Sequence, residues 1–362
     1  MGFIDFYVSL KGGLTIMLSD NAVKLAEYIH ENPSLSSKEL YENAGLNVGY
    51  ATVKRLLTQL LTHGLVQASG KGRATRYLAG HGFKLLHPLD LDLYFLKEID
   101  ERVIQSHFNW SLLREGLSET ELFTAAEMAQ LVGLQSQYEK NSSQLSEKEY
   151  EKELERLAVD LSWKSSQIEG NTYSLLETER LLKEKETAEG KPRDDATMLL
   201  NHKDTLDFIF ANDELVTPLT IAAIENIHSL LMKELDVKRN IRRRKVGITG
   251  TNYVPLDNEF QIREALQLMC ELVNLRSNVF EKALLVLVLL SYIQAFDDGN
   301  KRTARIVSNA VLIDHDYCPI SFRTVSSIDY KKAMLIFYEQ NNISAFKKIF
   351  IEQFEFAVNT YF

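Results

Sequence analysis

Ten residues late in the chain, Phe296-Asp297-Asp298-Gly299-Asn300-Lys301-Arg302-Thr303-Ala304-Arg305, combine an acidic turn, a glycine and two arginines three apart. They fall between two strongly apolar stretches, so they read as a tight loop feeding the N-terminus of a helix. Such a start leaves backbone N–H groups without intrahelical partners, and Asp-Gly-Asn turns them outward as a nest for phosphate oxygens. Glycine is required at Gly299 because a side chain would hold the phosphate at a distance. Asp298 offers a hard oxygen suited to a Mg2+ ion bridging two phosphates. Arg302 and Arg305 share a helix face and can clamp the phosphate tail. An Asp-Gly turn alone is common; acid, nest and paired arginines within ten residues form a specific signal.

The elements that must hold this loop are mostly helical. Asn258 to Leu275 and Glu281 to Ala295 precede it; Arg302 to Asp314, Tyr330 to Gln340 and a last helix to about Phe356 follow. Upstream, Leu154, Leu157, Ala158 and Leu161 line one face of a helix that ends near Gly170-Asn171. Lys183 to Asp195 is charged and reads as a surface loop. Thr217-Pro218 reads as an N-cap with proline at the first helical position, opening a helix to about Leu235 that buries Ile221, Ile224, Ile227, His228 and Leu231. Arg242-Arg243-Arg244-Lys245 then leads into Val246 to Val254, a β-prone stretch broken by Gly247 and Gly250, which predicts a hairpin.

With the two residues before it, the loop reads Gln294-Ala295-Phe296-Asp297-Asp298-Gly299-Asn300-Lys301-Arg302-Thr303-Ala304-Arg305. It resembles the motif H-P-F-x-[D/E]-G-N-[G/K]-R-x-x-R of the Fic family (filamentation induced by cyclic AMP). The resemblance spans roughly residues 150–355. It implies a helical Fic core that binds ATP and transfers AMP to a Ser, Thr or Tyr hydroxyl of a target protein, or of the protein itself. By this resemblance Asp298 holds Mg2+, and Phe296 belongs to the nucleotide-binding set. Gly299, Asn300 and Lys301 take the α and β phosphates, and Arg302 and Arg305 the β and γ phosphates. Ser165-Ser166-Gln167-Ile168-Glu169-Gly170 is similar to the family's inhibitory motif [S/T]-x-x-x-E-[G/N]. It implies that Ser165, Glu169 and Gly170 form an autoinhibitory helix end, with Glu169 pairing Arg305 where the γ phosphate would lie. The Thr249–Pro255 hairpin, with Thr249, Gly250, Tyr253 and Val254, resembles the flap that holds a target segment by strand addition.

The sequence departs from the motif at its first position, where Gln294 stands for the catalytic histidine. Glutamine has no lone pair basic enough near neutral pH to take a proton from the target hydroxyl. Losing a general base costs about 10²–10⁴ in rate. Two functions stay open: a self-inhibited adenylyltransferase of weakened activity, and a catalytically silent regulator whose nucleotide response acts on DNA. Lys301 adds a lesser alternative, the phosphate transfer of the related Doc branch.

The DNA reading rests on the N-terminal part. The chain as a whole carries a net charge of −9, yet from Asn43 to Leu89 it has no acidic residue and six basic ones. Asp20 to Glu31 has a helical apolar face; Ser36-x-x-Glu39 is a capping box opening a short second helix. A third helix runs from about Tyr50 to His63, buries Val53, Leu56, Leu57, Leu60 and Leu61, and leaves Lys54 and Arg55 on its other face. A Ser-Gly-Lys-Gly-Arg tip between two short strands completes a pattern that resembles a winged helix-turn-helix. That resemblance implies a third helix in the major groove of double-stranded DNA and Lys71 and Arg73 on phosphates. Six charges support a modest, salt-sensitive affinity per monomer, which suits a homodimer on paired half-sites.

The expected organisation is therefore mainly α: an extension over 1–17, a winged helix over 18–80, a linker and helical connector over 81–148, and a Fic domain over 149–362. Residues 79–90 read as linker, and Asp92 to Ala129 as helix packing between domains. The composition is 45% hydrophobic and 25% charged, that of an ordinary globular protein. Cys270 and Cys318 support neither a disulfide framework nor a zinc site. The start is acidic at Asp5, and the longest apolar run, Ala283 to Leu290, is too short for a membrane span. The expectation is a cytoplasmic protein that makes no membrane contact.

Overall fold

The computed structural model describes residues 7–9 and 15–362. Most of the expected extension thus lies outside the described residues; within it β1 (Tyr7–Ser9) pairs antiparallel with β2 (Thr15–Met17). Three helices follow, α1 (Asp20–Glu31), α2 (Ser37–Asn43) and α3 (Tyr50–Thr62). Each of the first two starts on a serine whose Oγ accepts an N–H of the first turn, and Ser36 with Glu39 completes the capping box. An antiparallel hairpin, β3 (Val66–Ser69) and β4 (Arg76–Ala79), closes this unit in the register Val66–Ala79. Its own small core gathers Leu25, Leu40, Leu57, Leu60 and Phe83. Lys54, Arg55, Lys71 and Arg73 are all exposed.

Residues 81–148 contain α4 (His81–Leu86), α5 (Leu91–Tyr94), a wide helical turn at Leu112–Gly116, α6 (Leu117–Glu119) and α7 (Ala125–Ser142). The expected linker over 79–90 is thus partly helical. The expected helix from Asp92 to Ala129 is broken into short helical pieces joined by irregular chain, where polar groups find distant partners in place of the fourth residue back. Gln105 N–H donates to the Glu339 carbonyl, Asn109 N–H to Tyr292 Oη at 2.9 Å, and Arg102 to the Glu339 carboxylate at 3.0 Å.

The remaining helices are α8 (Glu147–Ile168), α9 (Leu175–Glu184), α10 (Arg193–Phe210), α11 (Ile221–Leu231), α12 (Glu259–Leu275), α13 (Val279–Ile293), α14 (Asn300–Ile313), α15 (Ser327–Gln340) and α16 (Ser344–Tyr361). Helix α13 is apolar on every side and is buried throughout except at Lys282, as a helix without a polar face must be. It packs chiefly on α14, and α12, α15 and α16 complete its jacket. No helix among the described residues is long and apolar enough to cross a membrane.

Two local expectations fail for tertiary reasons. Thr217 does not cap a helix: Thr217-Pro218 is a cis peptide, and α11 starts later on Thr220, whose Oγ1 accepts from Ala223 N–H at 3.1 Å. Val216 N–H goes instead to Asp314 Oδ2 at 2.7 Å and Leu219 N–H to Asn274 Oδ1 at 2.9 Å. The flap is not a hairpin either. Residues 246–255 form no ladder with each other; they turn at Thr249-Gly250, and Val254 bridges singly to His107. Both ends of the segment are anchored separately. Arg242 is buried and donates to the carbonyls of Gln294, Arg244 and Leu256, while Tyr253 is buried against Tyr292. Val254 N–H is taken by the Ser106 carbonyl at 2.8 Å.

Candidate functional site

The loop between α13 and α14 is held by its own side chains. Gln294 ends α13 in the left-handed region, at φ 53°. Asn300 then clasps the turn: its Oδ1 accepts from Phe296 N–H at 2.8 Å, and its Nδ2 donates to the Phe296 carbonyl at 2.8 Å and to Gln294 Oε1 at 3.1 Å. Gln294 Nε2 donates in turn to the Ser291 carbonyl at 2.6 Å. Both amide side chains are spent inside the loop, so what Asn300 presents outward is backbone. The α14 start is capped by Gly299, which has no side chain to satisfy the first N–H groups. The sequence put this helix start at Arg302; it begins two residues earlier, which brings the N–H groups of Asn300 and Lys301 into its first turn.

Gly299 has φ 78°, and a Cβ there would stand 2.6 Å from Met232 Cε and 3.0 Å from its Sδ. The positive φ favours glycine, and a side chain there would also make the Met232 thioether shift. Gly299→Ala is expected to lower stability by about 1–2 kcal/mol and to move the α14 start, read as a lower midpoint in denaturant. An unchanged midpoint would show that the loop tolerates the side chain.

Behind the loop stands a residue the sequence left out of the site. His228 on α11 stacks on Phe296, with ring centroids 3.6 Å apart and planes at 6°. Its Nε2 lies 3.0 Å from the Asp298 carbonyl and its Nδ1 3.3 Å from that of Arg239. Burial pushes its pKa down to about 4 against the pull of those two carbonyls, so the ring is neutral at neutral pH and donates to only one of them. The sequence signal was a lone histidine in an apolar stripe, a pattern that a plain core residue shares. His202 on α10 is also wholly buried, and burial together with the charges of Arg305 and Arg302 pushes its pKa well below the usual value.

The two arginines sit beneath the nest. Arg302 is buried and donates from Nη2 to Asp298 Oδ2 at 2.9 Å. Arg305 is wholly buried; its Nε donates to Ser165 Oγ and its Nη2 to the Ser165 carbonyl, both at 2.8 Å, and its guanidinium lies over the Tyr330 ring. The same Nη2 reaches Glu169 Oε1 at 2.9 Å, and Lys301 Nζ lies 3.4 Å from Glu169 Oε2. Glu169 is the C-cap of α8, and Gly170 beyond it turns the chain at φ 102°. Burial raises the Glu169 pKa, but the charges of Arg305 and Lys301 outweigh it and hold the carboxyl below its ordinary value. One nitrogen on each arginine, Nη1, is buried with no hydrogen-bond acceptor. Orphaned cationic donors of this kind are costly unless an anion arrives.

Beside these groups lies a cavity of about 470 Å³, which Arg302 lines and from which Arg305 is set back behind Glu169. Glu169, Gln294, Asp298, Gly299, Asn300, Lys301 and Arg302 face it, as do Val246 to Thr249 of the flap segment and Tyr330 and Tyr338 of α15. No histidine lines it. Of the flap residues singled out from the sequence, Thr249 is at the cavity, Gly250 packs its turn on Leu335, Tyr253 is core and Val254 faces the connector. Lys54, Arg55, Lys71 and Arg73 belong to the N-terminal unit and take no part in this cavity.

Comparison with known proteins agrees with this architecture. Residues 218–312 match the model of the Fic/DOC family. Fic-1 from C. elegans superposes with a TM-score of 0.57 at 19% identity, over 66% of this chain and 72% of that one. A Fic domain containing signaling protein from Bacteroides thetaiotaomicron gives 0.54 at 20%, over 64% and 95%. A Fic family protein from Desulfovibrio desulfuricans gives 0.55 at 20%, over 66% and 74%. The mainly helical fold matches that of these Fic proteins, and the similarity to the Fic/DOC family model lies over residues 218–312.

Proposed function

We propose that the cavity binds ATP with Mg2+ and that the protein is a self-inhibited adenylyltransferase acting on protein hydroxyls, its own or a target's, weakened by Gln294. The observation that carries this reading is the Glu169 carboxylate, an internal anion at the wall of a cavity of nucleotide size, paired there with Lys301 and, behind it, with the buried Arg305. The nest N–H groups and the orphaned Nη1 of Arg302, which lines the cavity, suit further phosphate oxygens. A metal here would be held by Asp298, which lines the cavity, with phosphate oxygens and water as its remaining ligands, the usual Mg2+ arrangement. When bound, Mg2+ neutralises phosphate charge.

In the transfer, the target hydroxyl oxygen attacks the α phosphorus, the bond to the β phosphate breaks and pyrophosphate leaves. The hydroxyl proton needs an acceptor, and Gln294, with its amide committed to Ser291 and Asn300, is none. That commitment favours a second reading: Gln294 serves as a clasp, and the site senses nucleotide without turnover. Transfer of α-phosphate label from ATP separates the two. Label on wild type or on Glu169→Gly supports the enzyme; its absence from both supports the sensor.

We further propose that the N-terminal unit is a winged helix that binds duplex DNA, supported by three helices, a hairpin and exposed Lys54, Arg55, Lys71 and Arg73. Lys54→Ala with Arg55→Ala is expected to weaken duplex binding severalfold and to reduce the salt slope by about two. Anisotropy with a labelled duplex across a salt series reads both; no binding at low salt makes this unit a protein-docking module.

A further inference from the structure

We propose that a basic groove beside the nucleotide cavity docks an acidic segment of the protein that receives the transferred group; this rests on the adenylyltransferase reading above. The groove, about 550 Å³, is lined over Lys238–Arg244 and by Glu259, Arg263 and Asp297. Six of these side chains are Lys or Arg and two are acids, in a chain whose net charge is −9. The two acids are already engaged: Glu259 by Arg243 at 2.6 Å and Arg263 at 3.2 Å, Asp297 by Arg244 at 2.9 Å. Lys238 and Arg239 are exposed and form no ion pair with any described residue, so a net positive field is left facing outward.

Position ties this field to the site. Asp297 lines both cavities, and the chain runs directly from Arg243–Lys245 into Val246–Thr249 at the nucleotide cavity. A segment presenting its hydroxyl there has the groove as its continuation. Phe260, one residue beyond Glu259 on α12, is 85% exposed, an aromatic of the kind protein interfaces use. A cavity of this size takes a few side chains, as a peptide offers, and is far smaller than a duplex needs.

The test uses the full chain and a fluorescein-labelled peptide of Glu-Ser repeats, with Gln-Ser repeats as its neutral counterpart. The acidic peptide is expected to bind wild type at low salt and the neutral one not. Lys238→Glu with Arg239→Glu should weaken binding at least tenfold, while the charge-matched Lys148→Glu with Lys152→Glu, exposed on α8, leaves it unchanged. Equal binding by the groove variant, or an equal loss in the Lys148/Lys152 variant, would overturn the proposal. So would binding of inorganic tripolyphosphate or duplex DNA at the groove where the peptide does not bind. ATP affinity measured on the same preparations keeps the two readings apart. Normal ATP binding without peptide binding sinks the groove alone; peptide binding without ATP binding sinks the nucleotide reading alone.

Discussion

Glu169→Gly is expected to raise the affinity for ATP at least tenfold while making the nucleotide-free protein less stable. Both effects come from one contact. The Glu169 carboxylate neutralises a wholly buried arginine, and ATP can reach Arg305 only by displacing it. Removing one partner of a buried ion pair costs about 3–5 kcal/mol. Glu169 is 19% exposed, and Arg305 keeps its two bonds to Ser165, which places the loss at the lower end, about 3 kcal/mol. ATP then restores the missing counter-charge, so the variant should gain more thermal stability on adding nucleotide than wild type does. Titration calorimetry and thermal unfolding with and without Mg-ATP read the two halves. Equal affinity in both proteins would show that Glu169 is only a helix end.

The pH dependence has a definite sign. Because Arg305 and Lys301 hold the Glu169 pKa below 4.5, its contribution is complete above that value and is lost only as the pH falls through the depressed one. Wild-type ATP affinity should therefore carry no Glu169 titration between about pH 5 and pH 8. Acid within that window does not open the lock.

Gln294→His on the Glu169→Gly background carries the second large effect, a gain of about 10²–10⁴ in the rate of label transfer. The position suits the change: Gln294 lies at the cavity wall, and its left-handed backbone is one that histidine tolerates better than most residues. Histidine gives up the bonds from Gln294 to Ser291 and Asn300, so the loop is expected to loosen slightly. In the Glu169 wild-type background the gain should be much smaller, because the nucleotide remains excluded. If the double variant binds ATP and transfers no label, Gln294 is not what silences the site.

The parts of this protein that were legible in the sequence are those whose causes are local. Ser36 and Glu39 form the capping box that their spacing announced, and α3 buries the Val53 to Leu60 stripe that its period announced. The loop before α14 was legible for the same reason: Gly299 takes a positive φ, and residues three apart share a helix face. The spacing of Ser165 and Glu169 located an α8 end, and both reach Arg305.

What stayed hidden depends on partners far along the chain. Nothing local shows that Asn109 donates to Tyr292 or that Gln105 donates to Glu339, so a connector with helical composition is broken into short helical pieces. The flap has strand-forming residues, but its ends are pinned by Arg242, Tyr253 and Val254 on Gln294, Tyr292 and Ser106, and the segment turns without forming a ladder. His228 became a support of the loop only when α11 was packed beneath Phe296. The sequence by itself determined the helical elements, their caps and the chemistry carried on one short loop, because backbone sterics and side-chain period act over a few residues. Tertiary structure decided which cation faces Glu169, which amide is spent on the loop and where the flap is pinned, because a buried polar group must find its partner wherever the packed chain supplies one.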